Sequence, residues 1–282
     1  MYGYGYDLTF TKNKHSHAIF ICKLKKSPLP RFPYRVSFET NQLRTISLRA
    51  EYDFTNVDSL KRYLFVVDDV ILFLCDADKK EIFYLEDKNY SEKLMEYWLI
   101  HIVLPIYFTL NNTYYFLHSG CISVNDRATL FMGSSYAGKS TLTDYFLKKE
   151  HNLVSDDKLA TYELDNKFYC VSSHPFHRPY RELESLGIQT DNFSKSHLMM
   201  GNIYWIEPVK AKEDICIEEL KGLKKFEVLR YSTEMDIYVN QEKRFEYITK
   251  LANTLKVYKI QIPRDLQRLE EVYETIIEHT KL

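Results

Sequence analysis

The chain has 282 residues, 45% of them hydrophobic, enough for a sizeable core. Lys plus Arg (38) nearly cancels Asp plus Glu (39), so the whole chain offers no electrostatic footprint for nucleic acid. The 23 Tyr and 17 Phe against 8 Gly and 8 Pro exclude a disordered polymer and favour strands. Cys22, Cys75, Cys121, Cys170 and Cys216 are scattered and form no C-x-x-C pair, which argues against zinc and against a disulfide framework. Reduced thiols fit a cytoplasmic protein. The segment Met1–Asp7 lacks a basic stretch followed by an apolar run, so no signal peptide is expected. Leu94–Leu110 is the most apolar stretch, yet it contains Glu96, His101 and Pro105 and is short for a bilayer span. It reads as a buried helix, and no membrane is implied.

The first ninety residues read as strands at Tyr4–Thr11, Ala18–Leu24, Tyr34–Glu39, Leu43–Arg49, Leu64–Leu74 and Glu81–Leu85. Asp58–Tyr63 suggests a short helical connection. At Ser91 the pattern changes to a capped helix, with Pro105 expected to end or kink it. Tyr114–Val124 and Ala128–Met132 read as two strands around Asn125-Asp126-Arg127. A helix to about Lys149 follows, then a short strand, Leu153–Ser155, ending in Asp156-Asp157. Leu159–Glu163 and Phe168–Val171 form a hairpin pattern around Asp165-Asn166. A polar stretch rich in His and Arg runs from Ser172 to about His197. Gly201–Ile206 and Asp214–Leu220 read as strands, the second leading into a helix. Glu242–Leu255 is a helix, Val257–Ile262 a strand and Leu266–His279 a terminal helix. The pattern divides the chain into a β-rich part, residues 1–90, and an α/β part, residues 91–282.

One motif carries the chemistry. Gly133-Ser134-Ser135-Tyr136-Ala137-Gly138-Lys139-Ser140-Thr141 matches G-x-x-x-x-G-K-[ST] without a mismatch, with a strand before it and a helix after it. The glycines permit backbone conformations that a β-carbon hinders, and the loop N–H groups converge on phosphates at the positive end of the helix. Lys139 supplies a point charge to the β- and γ-phosphates, and the Ser140 hydroxyl is a ligand for Mg²⁺. Asp156 and Asp157 follow an apolar strand. Adjacent acids on extended backbone point to opposite faces, so they take different jobs, one on Mg²⁺ and one as a proton acceptor. His118 ends the run Tyr114–Leu117, and the hairpin pattern sets it roughly opposite the start of the loop. Arg178 and Arg181, in the loop that also holds His174 and His177, have the chemistry to clamp phosphate oxygens.

Leu117-His118-Ser119-Gly120, then Gly133–Thr141, then Leu153-Val154-Ser155-Asp156-Asp157 together resemble the catalytic domain of bacterial HPr kinase/phosphorylase and its wider HPr-kinase-like group. The resemblance implies an α/β P-loop core related to phosphoenolpyruvate carboxykinase, preceded here by a β-rich N-terminal part. It implies that His118 is the active-site histidine, Lys139 the phosphate lysine and Ser140 the Mg²⁺ ligand. Asp157 would accept the proton of the target hydroxyl, and Asp156 would support Mg²⁺ or the phosphates. Glu182–Ile188 lies on the family signature Glu-Val-Arg-Gly-Leu-Gly-Ile, with Glu182 on a metal-binding glutamate. Glu184 replaces the arginine and Ser185 the glycine, which puts HPr itself and the reverse reaction in doubt.

The sequence therefore predicts an ATP- and Mg²⁺-dependent kinase, with a serine of a protein or peptide as acceptor. A small-molecule or sugar hydroxyl and a nucleotide-binding sensor or assembly protein stay open as alternatives. So do a homo-oligomer and the preference among ATP, GTP and pyrophosphate. Decarboxylation would need a further His/Lys metal site, and no such pattern is visible.

Overall fold

The structure, a computed structural model, describes residues 1–10, 17–24, 29–40, 44–54, 60–179, 182–193, 195–233 and 240–281. It is mixed α/β and divides into two compact units. One takes in Met1–Tyr114, Arg181–Leu186 and Asp236–Gln241; the other takes in Tyr115–Tyr180, Gly187–Met235 and Glu242–Leu282. The division thus falls at Tyr114 and Tyr115, whereas the sequence pattern changes near residue 90. Packing accounts for the difference. The helical run after Ser91 buries Trp98, Leu99, Ile100, Val103, Leu104 and Phe108. Its rings meet those of the preceding strands, with Phe65–Trp98 centroids 6.4 Å apart and Tyr4–Phe108 6.0 Å apart.

The first unit holds an eight-stranded sheet. Its strands are β1 (Tyr2–Gly3), β2 (Tyr6–Thr9), β3 (Ala18–Lys23), β4 (Tyr34–Thr40), β5 (Arg44–Ala50), β6 (Arg62–Val67), β7 (Ile71–Asp76) and β8 (Glu81–Glu86). Their order is β1-β2-β3-β8-β7-β6-β5-β4. The run expected as one strand, Leu64–Leu74, is a hairpin. Asp69 takes φ 67 and the Val70 N–H returns to the Val67 carbonyl at 3.1 Å. Arg62 and Tyr63, expected in a helical connection, open β6; Asp58 and Ser59 lie outside the described residues, as does Thr11 at the end of the first expected strand. Ser91 caps α1 (Glu92–Trp98), accepting from the Leu94 N–H at 3.2 Å. Pro105 does not end the helix. A π-helical turn, Leu99–Val103, precedes it, and α2 (Leu104–Leu110) continues with the proline in its first turn, where its missing N–H costs little.

The second unit holds the loop of interest. Its strands are β9 (Tyr115–His118), β10 (Gly120–Val124), β11 (Arg127–Met132), β12 (Asn152–Ser155), β13 (Lys158–Leu164), β14 (Lys167–Val171), β15 (Phe176–His177), β16 (Ile188–Gln189), β17 (His197–Val209), β18 (Cys216–Leu220) and β19 (Val257–Pro263). Its helices are α3 (Lys139–Lys148), α4 (Gly222–Tyr231), α5 (Gln241–Thr254) and α6 (Leu269–His279). The segment Tyr114–Val124, expected as one strand, breaks at Ser119 because its halves pair differently. β9 joins β13, while β10 lies between β11 and β12. Asn125 (φ 49) and Asp126 (φ 58) form a two-residue turn, and so do Asp165 (φ 51) and Asn166 (φ 58).

β11, β17 and β19 are parallel neighbours at the centre. Parallel strands bury both faces, and the side-chain alternation of β11 shows how. Ala128, Leu130 and Met132 pack with Leu229 of α4 and Tyr247, Ile248 and Leu251 of α5. Phe131 points the other way, onto Leu142 and Phe146 of α3 and Val272 and Ile276 of α6. Helix α3 is therefore held by its apolar face directly behind the loop that precedes it. Tyr145 and Lys149 tie the α3 region to α6 through Glu270.

Candidate functional site

Strand β11 runs straight into the loop 133–138, and α3 starts at Lys139. The backbone explains the two glycines. Gly138 caps α3 at φ 102, a conformation L side chains rarely adopt. At Gly133 (φ 159), a β-carbon would stand 3.0 Å from Ala137 Cβ and 3.1 Å from the Ile206 carbonyl oxygen. Tyr136 sits between them at φ 63 with its side chain 92% exposed. A bulky residue in that conformation is uncommon and concentrates at functional sites. Lys139 is buried; its ammonium donates to the Gly133 carbonyl at 2.8 Å and the Ser134 carbonyl at 3.1 Å. Behind the loop, the Thr143 hydroxyl donates to the Lys139 carbonyl at 3.0 Å. Gly120 packs there so closely that a β-carbon would meet Thr143 Oγ1 at 2.3 Å.

The sheet then delivers the acids. β12 ends at Ser155, and Asp156-Asp157 make the bend before β13. Asp156 is buried, Asp157 half-buried. Asp156 Oδ2 accepts from the Arg178 N–H at 2.6 Å, while Oδ1 is buried without a hydrogen bond of ordinary geometry among the described residues. Burial pushes the Asp156 carboxyl up to about 6; the Arg178 N–H opposes that, the Asp157 charge adds to it, and the Ser140 hydroxyl lowers it again. Asp157 faces the other way. Its Oδ1 lies 3.0 Å from His118 Nδ1. This pair is fixed by the ladder between β9 and β13, which sets His118 opposite Lys158. The Ser119 N–H donates to the Asp157 carbonyl at 3.0 Å, and the His118 N–H donates to the Ser232 carbonyl at 2.6 Å. The adjacent acids diverge, as extended backbone demands.

The loop after β14 adds a buried polar group. His174 is held neutral, its pKa lowered to about 4 by burial against an opposing pull from Asp157. Burial likewise lowers His177. Arg178 reaches the site through its backbone N–H, a contact that side-chain reasoning did not foresee. Gly187 at φ 97 lets this loop fold back on itself; a β-carbon there would stand 2.5 Å from the His177 carbonyl oxygen.

Loop 133–141, His118, Asp156, Asp157 and Arg178 all belong to the second unit. Arg181 lies outside the described residues. Glu182 is exposed and groups with the first unit. Within that unit Glu184 binds Arg44 through two bonds of 2.6 and 3.0 Å and accepts from the Trp98 indole N–H at 3.2 Å. The residue replacing the signature arginine thus has a structural partner of its own. Among the described residues no three His, Cys, Asp or Glu side chains cluster as a metal site. The oxygens that could serve a cation at the loop are those of the Asp156 carboxylate and the Ser140 hydroxyl, an oxygen-only set of the kind that suits a hard divalent ion. A further feature went unread in the sequence: an open cleft of about 330 Å³ beside the loop, lined by Tyr136, Leu142 and the stretch Ile262–Leu266. No helix among the described residues is long and apolar enough to cross a membrane.

No family model matches the chain, and no curated protein matches it in sequence. Among solved structures it is similar to the HPr(Ser) kinase/phosphatase from Coxiella burnetii, at a TM-score of 0.37 and 14% identity, over 59% of this chain and 95% of that one. A likeness of that degree carries no functional weight.

Proposed function

We propose that this chain is an HPr-kinase-like phosphotransferase that moves the γ-phosphoryl group of Mg²⁺-bound ATP to a hydroxyl, with a serine of a protein or peptide as acceptor. The observation that carries the reading is the split pair of acids behind a G-x-x-x-x-G-K-S loop. Asp156 is buried beside the Ser140 hydroxyl, and Asp157 turns its carboxylate to His118 at 3.0 Å.

In this reading the loop N–H groups and Lys139 hold the β- and γ-phosphates. Lys139 exchanges its bonds to the Gly133 and Ser134 carbonyls for phosphate oxygens. Ser140 and Asp156 would hold Mg²⁺, and the chemistry it would supply there is positive charge for the triphosphate. Asp157 accepts the proton of the acceptor hydroxyl as the new O–P bond forms and the bond from the γ-phosphorus to the β–γ bridging oxygen breaks, releasing ADP. His118 positions Asp157, and both are held by backbone hydrogen bonds across the sheet. Such a site works mainly through placement and charge. The Arg178 guanidinium, in the same unit as the loop, is a proposed contributor to phosphate binding.

The test is incubation of the full chain with Mg²⁺ and γ-labelled ATP, with and without serine-bearing peptides. Label on a seryl oxygen, lost in Asp157→Asn while nucleotide binding persists, supports the proposal. Nucleotide binding with no transfer and no turnover refutes it in favour of a sensor.

A further inference from the structure

Helix α4 holds to the second unit through Leu229, its single fully buried residue. Its opening turn carries apolar surface outward. Leu223 is 71% exposed, and Phe245 of α5, whose ring meets that of Phe226 edge-on with centroids 5.4 Å apart, is 60% exposed. Single exposed apolar side chains are ordinary on a protein surface, but apolar surface gathered at a groove with a polar rim marks an interaction site. The groove here has a volume of about 460 Å³, with Leu220, Leu223 and Phe226 on one side and Thr249, Ala252 and Asn253 of α5 on the other. That is within the roughly 300–1,000 Å³ typical of ligand pockets. Phe226 and Ala252 rest on the core beneath, so the groove is formed before anything enters it. Gly222 takes φ 55, and a β-carbon there would meet nothing within 4 Å, so the groove is open at this point.

Charge is confined to one wall. Lys221 and Lys225 line the groove beside a single acid, Glu219, and Lys224 of the same turn is exposed. The wall from α5 carries no charge. Among the described residues none of the three lysines forms an ion pair. Burial lowers the pKa of the half-buried Lys225 ammonium, and the charge of Glu219 opposes that only from a distance. Helix α4 also opens without a capping side chain and without an acid in its first turn, so the positive end of its dipole adds to the same field.

We infer that this groove docks an acidic segment of a partner protein, with an apolar side chain of that segment seated beside Leu223 and Phe226 and its carboxylates on Lys221, Lys224 and Lys225. Charge complementarity of this kind steers a partner in and fixes its register. The other occupants fit less well. A second copy of the chain, docked about a two-fold axis through the groove, sets the three lysines against themselves. A lipid surface is flat, whereas a groove takes a protruding side chain. None of the lining residues belongs to the phosphate loop, so the partner binds whether or not phosphoryl transfer occurs.

The probe comes from a random peptide library displayed on phage, selected against the full chain and counter-selected against a Lys221→Gln, Lys225→Gln double variant. The enriched sequences are acidic and carry a large apolar residue. An enriched peptide, titrated by fluorescence anisotropy, loses about tenfold in affinity on Leu223→Ser and about as much on Lys225→Gln alone, the scale of one interface anchor. It binds more weakly as salt rises. Melting temperature and nucleotide binding stay unchanged in both variants, which separates a lost contact from a lost fold. Enrichment of no acidic sequences overturns the inference, and so does a peptide that binds the Leu223→Ser variant as tightly as the unaltered chain. A concentration-dependent dimer in sedimentation that Leu223→Ser dissolves overturns it in favour of a second copy. Binding to phosphatidylserine-containing vesicles that Leu223→Ser abolishes overturns it in favour of a membrane.

Discussion

Asp156→Asn should make the protein more stable at neutral pH while removing its response to Mg²⁺. Burial raises the Asp156 carboxyl from 3.8 to about 6. At about 1.4 kcal/mol per pH unit, ionising this group in the folded state costs about 3 kcal/mol relative to the unfolded chain. Between pH 4 and 6 the folded state binds the proton and the unfolded state does not. Stability from this group is therefore fully present below pH 3.8, falls as pH rises and is lost above about 6. Asparagine keeps an oxygen for the Arg178 N–H and carries no charge. The variant should gain about 2–3 kcal/mol at pH 7.5, or roughly 5–10 °C in melting temperature for a domain of this size. Thermal unfolding from pH 4.5 to 8 in EDTA provides the measurement. The difference between wild type and variant should open between pH 4 and 6 and then stay constant. Mg²⁺ at pH 7.5 should raise the wild-type melting temperature and leave the variant unmoved, since only the folded wild type binds it. Parallel pH curves, or equal stabilisation by Mg²⁺, would refute both the high carboxyl pKa and its use as a cation ligand.

Other substitutions separate the parts of the site. Asp157→Asn should lower phosphoryl transfer by about 10²–10⁴-fold with nucleotide binding intact, the range for losing a general base, as followed by label transfer and calorimetry. Lys139→Ala should abolish nucleotide binding; because the ammonium also bonds two loop carbonyls, melting should show a loss of about 1–3 kcal/mol as well. Gly120→Ala drives a β-carbon to 2.3 Å from Thr143 Oγ1, so it should destabilise by about 1–3 kcal/mol, and Thr143→Ala in the same chain should restore most of the loss in urea unfolding. Glu184→Ala breaks a two-bonded ion pair with Arg44 and a bond from Trp98, costing about 1–3 kcal/mol in the same assay.

What could be read from the sequence was local, and what could not was a matter of pairing. The loop between β11 and α3 was legible because glycine geometry, the helix start and the preceding strand are encoded within one stretch of chain. The two-residue turns at Asn125-Asp126 and Asp165-Asn166 were legible for the same reason: few residue types tolerate positive φ. By contrast Leu64–Leu74 and Tyr114–Val124 each look like one strand in composition, and only their partners show where each breaks. The break at Ser119 matters most. It passes the chain from the hairpin with β11 to the ladder with β13, and that exchange carries His118 from the loop's own strand pair to the side of Asp157. Spacing alone could set His118 roughly opposite the loop, but it could not supply a histidine–carboxylate pair, because the pair depends on which strand β9 chooses. The same holds for Arg178, whose contribution is an N–H to Asp156 that no side-chain motif encodes. The cleft beside the loop is the extreme case, since Tyr136 and Leu266 are 130 positions apart and nothing in either neighbourhood announces the other. Parallel pairing of β19 along β17 brings the turn Pro263–Leu266 to the loop, so a single strand register sets one wall of that cleft.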